Sequence, residues 1–432
     1  MEIKKRMMRA YKFRIYPTED QQRTLVKCFG AARYVWNWGL QLIKDNFNHT
    51  EMLRYSWGGD LTTYSYEDAL TMKFHGRKDT SLELFRIDAT KCSMLLTPAK
   101  TRKADKLPDG LKSMLGLKDE QAWLNEVPDK ILRSSLRNLG TAFKNFFKSD
   151  TNGNRRGYPT PKKLRNNQSI QFQGENVKLD TKSCMLSVTK IRDIEIRLHR
   201  PIIGKIKTTT ISKTKSGKYY VSFQVDDGLE KPISKPVSNE NIIGIDVGLL
   251  SYITTSKGDK IDGIQPYRES EKRLVVLQKR LSRKQRGSKN SEKARLKVAK
   301  QHEKIANQRL DFQHKLSRKL VDEYDAIVLE SLNISGMLKN HHLAKSINDA
   351  GWSEFIRQIK YKAEWSGKTV IEIGQWEPSS KICHCCGHKE EKMSLNIREW
   401  KCPKCGAIHD RDINAAINIR AIGIDQFCAA TI

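Results

Sequence analysis

Residues 376–419 read WEPSSKICHCCGHKEEKMSLNIREWKCPKCGAIHDRDINAAINI, and this stretch decides how the rest of the chain is understood. Two C-x-x-C knuckles, Cys383/Cys386 and Cys402/Cys405, stand fifteen residues apart. Each turns tightly enough to aim both sulfurs at one ion, so the four thiolates predict a tetrahedral structural zinc. The plainer alternative is a set of unrelated buried cysteines. A glycine after each pair, Gly387 and Gly406, weighs against it. Cys385 adjoins Cys386 as a competing ligand, and His384, His388 and His409 lie close by.

The knuckles run directly into HDRDINAAINIRAIG, where Ile413, Ala416, Ile417 and Ala421 recur at helical spacing. Asp412 opens that helix. Alone, it reads equally as an N-cap that complements the helix dipole or as a carboxylate held at a metal site. Partner acids upstream have to decide.

The chain has 432 residues, enough for two or three domains with cores of their own. Lys and Arg number 79 against 49 Asp and Glu, a formal net charge of +30. Self-repulsion of that size points to a polyanionic partner, nucleic acid in the first place. A membrane is the rival polyanion, but no apolar run approaches a spanning helix and the basic residues are spread along the chain. The start, MEIKKRMMRAYKF, lacks the apolar core of a signal peptide. Nine cysteines, four of them in knuckles, fit a reducing compartment better than a disulfide framework. These features predict a cytoplasmic, nucleoid-associated protein.

From the start, residues 9–16 alternate as a strand, and Leu25, Phe29, Ala32, Trp36, Leu40 and Ile43 then mark an amphipathic helix. Arg33, Tyr34, Asn37 and Trp38 interleave with that stripe, as core or as bases' stacking partners. Residues 45–122 are hardest to read, with loop at Gly58-Gly59 and a basic connector at 100–112 turning at Pro108-Asp109-Gly110. Ile131, Leu132, Leu136, Leu139 and Phe143 mark another helix, and its exposed side carries Lys130, Arg133, Arg137, Lys144 and Lys148. After a linker at 149–156, short strands fill 157–227, with a hairpin around Lys215-Ser216-Gly217. Together with strand 9–16 they predict a small β-barrel. A proline-containing linker at 231–238 marks the main boundary.

Beyond it, Ile242, Ile243 and Ile245 form a buried strand ending near Asp246. A long basic helical region at 268–321 breaks near Gly287-Ser288, and strand 326–329 ends in Glu330. A helix over 348–365 and the strand TVIEIG lead to the knuckles. Asp246, Glu330 and Asp412 thus sit in order at two strand ends and a helix start. That is the layout of an RNase H-like fold, in which converging carboxylates hold two divalent ions about 4 Å apart. Mg²⁺ suits such a site, because it accepts one or two carboxylates and fills its shell with water and phosphate. Any one of these acids alone reads as a capped turn or a surface charge; three in this order in a basic chain read as a nuclease centre.

The residues now carry a family resemblance. RAYKFRIYPT (9–18), AARYVWNWGL (31–40), FKNFFK (143–148), IIGIDVGLLSY (242–252), ANQRLDFQHKLS (306–317), IVLESLNISGM (327–337), LAKSINDAGWSEF (343–355), PSSKICHCCG (378–387) and HDRDINAA (409–416) are similar to the TnpB (OrfB) proteins of insertion sequences, which are related to the miniature type V CRISPR effectors. By that resemblance Asp246, Glu330 and Asp412 match the RuvC triad, and Cys383, Cys386, Cys402 and Cys405 match the family zinc ribbon.

The implied architecture is α/β and all-β multidomain. A wedge-type barrel takes residues 1–17 and 150–236, a helical recognition lobe 18–149, and a RuvC-like domain 237–432 with the ribbon inserted at 379–409. The implied activity is Mg²⁺-dependent, RNA-guided cleavage of double-stranded DNA beside a short motif, with one or two chains on each guide RNA. Arg14, Arg33, Lys144, Lys162, Lys163 and Arg309 are the candidate nucleic-acid contacts, the rest of the basic faces being solvated. Two departures stand out: Cys385 occupies a slot the family fills otherwise, and 45–122 is longer than in compact members. The rival functions are a nuclease-inactive, RNA-guided repressor, which would be expected to lack an acid of the triad, and a strand-transfer transposase, which also uses three carboxylates.

Overall fold

The computed structural model describes residues 6–49, 54–57, 60–63, 117–147, 157–230 except 166, and 232–431 except 234–236, 264, 341–342, 375–376, 392 and 395–396. The loop at Gly58-Gly59, the basic connector 100–112 and the linker 149–156 lie outside them, as does half of 231–238. Among the described residues no helix is long and apolar enough to cross a membrane. The chain divides into two units, Arg6–Leu229 and Glu230–Ile432.

In the first unit, strand β1 (Arg6–Tyr16) leads into helix α1 (Glu19–His49) and a hairpin of β2 (Arg54–Trp57) and β3 (Asp60–Thr63). Helices α2 (Leu117–Glu120) and α3 (Asp129–Phe147) follow. Then come β4 (Gln168–Gln173), β5 (Val177–Asp180), β6 (Met185–Val188), β7 (Ile191–Arg197), β8 (Lys205–Lys213) and β9 (Tyr219–Glu230).

These strands build one seven-stranded sheet in the order β4-β8-β9-β1-β7-β6-β5. Its two end strands, β4 and β5, are consecutive in the chain and joined only by Gly174–Asn176. Laid flat, seven strands would put them roughly 29 Å apart, and that link spans at most about 14 Å. The sheet therefore curls until its ends nearly meet. At the join, a Cβ on Gly174 would lie 1.9 Å from the Ile206 carbonyl oxygen on β8, so no larger residue fits there. Phe13, Phe172 and Phe223 from the strands share one core with Leu25 and Val35 of α1 and Leu136, Leu139 and Phe143 of α3.

The second unit opens with β10 (Ile242–Val247), β11 (Ser251–Thr255) and β12 (Lys260–Asp262), then helices α4 (Gln265–Ser282) and α5 (Lys289–Glu323). Next are β13 (Ala326–Glu330), α6 (Ile334–Met337), α7 (Ala344–Ala350), α8 (Trp352–Ser366) and β14 (Thr369–Ile373). The short strands β15 (Glu399–Lys401) and β16 (Ile408–Asp410) precede the last helix, α9 (Arg411–Thr431).

The five-stranded sheet runs β12-β11-β10-β13-β14, antiparallel across its first three strands and parallel across the last three. Ile243, Ile245, Ile327 and Leu329 pack one face against Leu316 and Leu320 of α5 and Phe355 and Ile359 of α8. The other face meets Ile419 of α9 through Ile242 and Val328. The helix read over 348–365 is in fact two. Gly351, at φ +65°, ends α7 and starts α8, and Gln313 donates to the carbonyls of both Ala350 and Gly351 at the break.

Candidate active site and metal centre

Side chains alternate along a strand, so the Ile243/Ile245 face and the Gly244/Asp246 face of β10 are opposite. The parallel register pairs Gly244 with Val328 and Ile245 with Leu329. One step further sets Asp246 beside Glu330, on adjacent strands about 4.8 Å apart and on the same face.

That face is the one α9 covers. A Cβ on Gly244 would lie 2.3 Å from the Ala416 carbonyl oxygen and 2.6 Å from the Arg420 nitrogen, so backbone of helix and strand touch. Gly423 makes the same approach to Val328, with a Cβ there 2.4 Å from Cγ1. Asp412 lies one turn before Ala416, in the first turn of α9. The sheet thus supplies two carboxylates and the helix the third.

Two acids open this helix, and they have different work. Asp410 Oδ1 accepts the N–H of Asp412 at 3.1 Å and of Ile413 at 3.0 Å, which is the bonding of an N-cap. Its other oxygen takes Lys260 Nζ at 2.6 Å. Burial raises the Asp410 pKa, but the Lys260 bond and the two N–H bonds outweigh it and hold the carboxyl below its usual range. Asp410 is the cap, and Asp412 is released from that role.

Crowding of the acids shows in their protonation. Burial first, then the charges of Asp412 and Glu330, push the Asp246 carboxyl from its ordinary 3.8 to about 7, against the opposing pull of Arg411 and the Val247 N–H. Burial also raises Glu330. Arg398 approaches Asp412 at 3.7 Å. The three carboxylates do not all bring oxygens within 4.8 Å of one another, whereas the four ribbon sulfurs do come that close.

In the ribbon, Gly387 N–H donates to Cys383 O and Gly406 N–H to Cys402 O, each at 2.9 Å, so the two knuckles repeat one backbone turn. Both glycines have positive φ, +71° and +76°. Cys383 and Cys405 sulfurs lie 3.6 Å apart, as do those of Cys386 and Cys402. Zinc–sulfur bonds of about 2.3 Å at tetrahedral angles separate sulfurs by about 3.8 Å, so the four fit a zinc ion. Although burial opposes it, the N–H groups of Cys405 and Lys404 and the thiols of Cys386 and Cys405 lower the Cys402 pKa, favouring its thiolate, while Cys386, sharing that proton, is raised. Cys385 is exposed and belongs instead to a second grouping with Cys383 and His409.

Two asparagines that sequence reading passes over bolt the ribbon to α9. Asn414 donates to Ile382 O at 2.7 Å and accepts the His384 N–H at 3.1 Å; Asn418 donates to Ser379 O and Ile382 O, each at 2.7 Å. Both are buried. Their spacing of four, polar within an apolar helix, is the one signal the sequence offers for them.

The candidate nucleic-acid contacts fall on separate elements. The Arg14 guanidinium lies 5.1 Å from the Tyr16 ring and 5.6 Å from that of Tyr220. Lys144 and Lys163 are exposed. The other three brace the protein itself. Arg33 donates to Gln168 at 2.7 Å and Arg309 to Asn348 O at 2.9 Å. Lys162 Nζ sits 3.8 Å from the Trp36 ring centroid, and burial lowers its pKa.

Three family descriptions match the chain: "Cas12f1-like, TNB domain" over residues 352–419, "Probable transposase" over 220–341 and "Helix-turn-helix domain" over 7–52. In the last span the described residues form β1 and the single long helix α1. A Streptomyces pristinaespiralis protein described as "Putative RNA-guided DNA endonuclease" is 34% identical over 419 residues, covering 96% of this chain and 89% of its own. An Escherichia coli relative, "Putative RNA-guided DNA endonuclease InsQ", is 30% identical over 319 residues, covering 70% of this chain and 77% of its own. Among solved structures, a Cas12f1–sgRNA–target DNA complex aligns over 96% of this chain and 99% of that one, at 13% identity and a TM-score of 0.44.

Proposed function

Because the chain belongs to the TnpB (OrfB) family of RNA-guided DNA endonucleases, we propose that it cleaves double-stranded DNA chosen by a guide RNA, through a RuvC-like carboxylate centre. The observation that carries this reading is the in-register pair Asp246 and Glu330 with Asp412 delivered onto the same face. Asp246, Glu330 and Asp412 would hold two Mg²⁺ ions, and Cys383, Cys386, Cys402 and Cys405 one structural zinc. Divalent ions held by these residues would supply activation of a water and stabilisation of the leaving oxygen of the phosphodiester. The protein's part is to keep the carboxylates in a row and to neutralise the phosphates around them.

The strand order β12-β11-β10-β13-β14 supports an RNase H-like domain over 237–432, with the ribbon inserted at 379–409. The curled sheet supports a wedge barrel from 1–17 and 150–236, with 18–149 the recognition lobe. Lys144, Lys163 and Arg14 would contact nucleic acid from this first unit, and the cytoplasm is the compartment where guide and target meet.

Glu330→Ala tests the reading. With guide RNA and a matched target, it should lower Mg²⁺-dependent cleavage by roughly 10³-fold or more while leaving target binding within about two-fold, since carboxylates that act as a unit fail together. Full cleavage by this variant would remove the carboxylate site. Joined DNA ends in the wild-type reaction, instead of a double-strand break, would assign strand transfer.

A further inference from the structure

The row that holds two of the carboxylates extends further across the sheet. Asp246 stands opposite Thr254 on β11, and Thr254 opposite Lys260 on β12. Lys260, Thr254, Asp246 and Glu330 therefore line up on one face, perpendicular to the strands. Lys260 Nζ leaves that row to reach Asp410 Oδ2 at 2.6 Å, and Asp410 Oδ1 caps the helix that bears Asp412. Gly244 sets how near α9 comes to the sheet. Arg420, bonded to Ile242 O at 2.8 Å and Asn239 O at 2.7 Å, ties the middle of α9 to the start of β10, whereas the Lys260–Asp410 contact ties its first turn to the row itself.

We propose that Lys260 is a positioning residue that, acting through Asp410, registers Asp412 with Asp246 and Glu330. The inference rests on the carboxylate assignment above. With side chains 38% and 27% exposed, the pair is solvated enough to add little to stability, so its effect on the site separates from any effect on folding.

The test uses the full-length, guide-loaded protein as Lys260→Ala, Asp410→Ala, both together, and Lys260→Arg. Lys260→Ala should slow cleavage about ten-fold, because small misplacements of reacting groups are costly, and should raise the Mg²⁺ concentration giving half-maximal rate. Target binding, zinc content and melting temperature should stay at wild-type values. Mn²⁺ binding, followed without cleavage by loss of the free-ion electron paramagnetic resonance signal, should weaken in parallel. Lys260→Arg should restore most of both, and the double variant should be no slower than the slower single one.

Wild-type rate and Mn²⁺ binding in Lys260→Ala would overturn the proposal, as would effects that multiply in the double variant or an arginine variant as slow as the alanine. If loss of the cap prevents Asp410→Ala from folding, Lys260→Ala against Lys260→Arg decides alone. An inactive Glu330→Ala beside an unaffected Lys260→Ala would remove this inference only. A fully active Glu330→Ala would remove the site on which it rests.

Discussion

Asp246 carries the main consequence of setting acids side by side. The unfolded chain releases its proton near 3.8 and the folded protein near 7, so between those values the native state holds the extra proton. Native stability contributed by this group is therefore full below about pH 3.8 and is lost as pH rises through 7. In metal-free buffer at pH 8, Asp246→Asn should melt a few degrees above wild type, with the gap closing toward pH 4. A divalent cation offsets the repulsion, so Mg²⁺ should raise the wild-type melting temperature more than that of the variant. Calorimetry across pH checks both. At this scale the sequence makes Asp246 and Glu330 legible, because each ends an apolar run. It also picks out Asp412 as the third acid but reads it as a possible cap; that Asp410 is the cap follows from its bonds to the Asp412 and Ile413 N–H groups and to Lys260, 150 residues away, which no local pattern announces.

At the scale of elements, the ribbon and α9 behave as one piece, since Asn414 and Asn418 tie Ser379, Ile382 and His384 to the helix. Zinc binding in ribbon-sized peptides is worth about 10–16 kcal/mol. Cys402→Ser should therefore lose one equivalent of zinc and most cleavage, whereas Cys385→Ser should keep both; metal analysis and a cleavage assay check this. Asn418→Ala should keep its zinc and melt lower, by about 1–3 kcal/mol of stability, because the buried Ser379 carbonyl loses its Asn418 donor, whereas Ile382 O keeps Asn414. Denaturant unfolding with zinc analysis measures it. Knuckles and hairpins are legible in the sequence because their signals are local. The turn at Lys215-Ser216-Gly217 is found between β8 and β9, and Gly287-Ser288 separates α4 from α5, Ser288 capping the latter. Gly351 is harder to read. The periodicity runs through it unbroken; the break falls at Gly351 in the left-handed region, where Gln313 on another helix donates to the carbonyls of Ala350 and Gly351.

For the whole molecule, a charge of +30 sets the chemistry of the surface. If nucleic acids are the partners, the purified protein should carry RNA, and DNA affinity should fall by about 10³-fold or more between 50 and 200 mM salt as counterions are released. Filter binding across a salt series checks the slope, and a flat dependence would reject a phosphate-dominated interface. Composition makes that partner legible. Which strands pair is not legible in the same way: β1 lies between β9 and β7, elements more than 170 residues further along, and such pairings follow from the core as a whole. The units, by contrast, are almost contiguous in the chain. Every described strand of the curled sheet precedes residue 231, and the carboxylate row and cysteine knuckles all follow it. A single recombination in the gene at that point would hand over one finished sheet and leave the other complete, so a lineage can trade its front half while inheriting its chemistry whole.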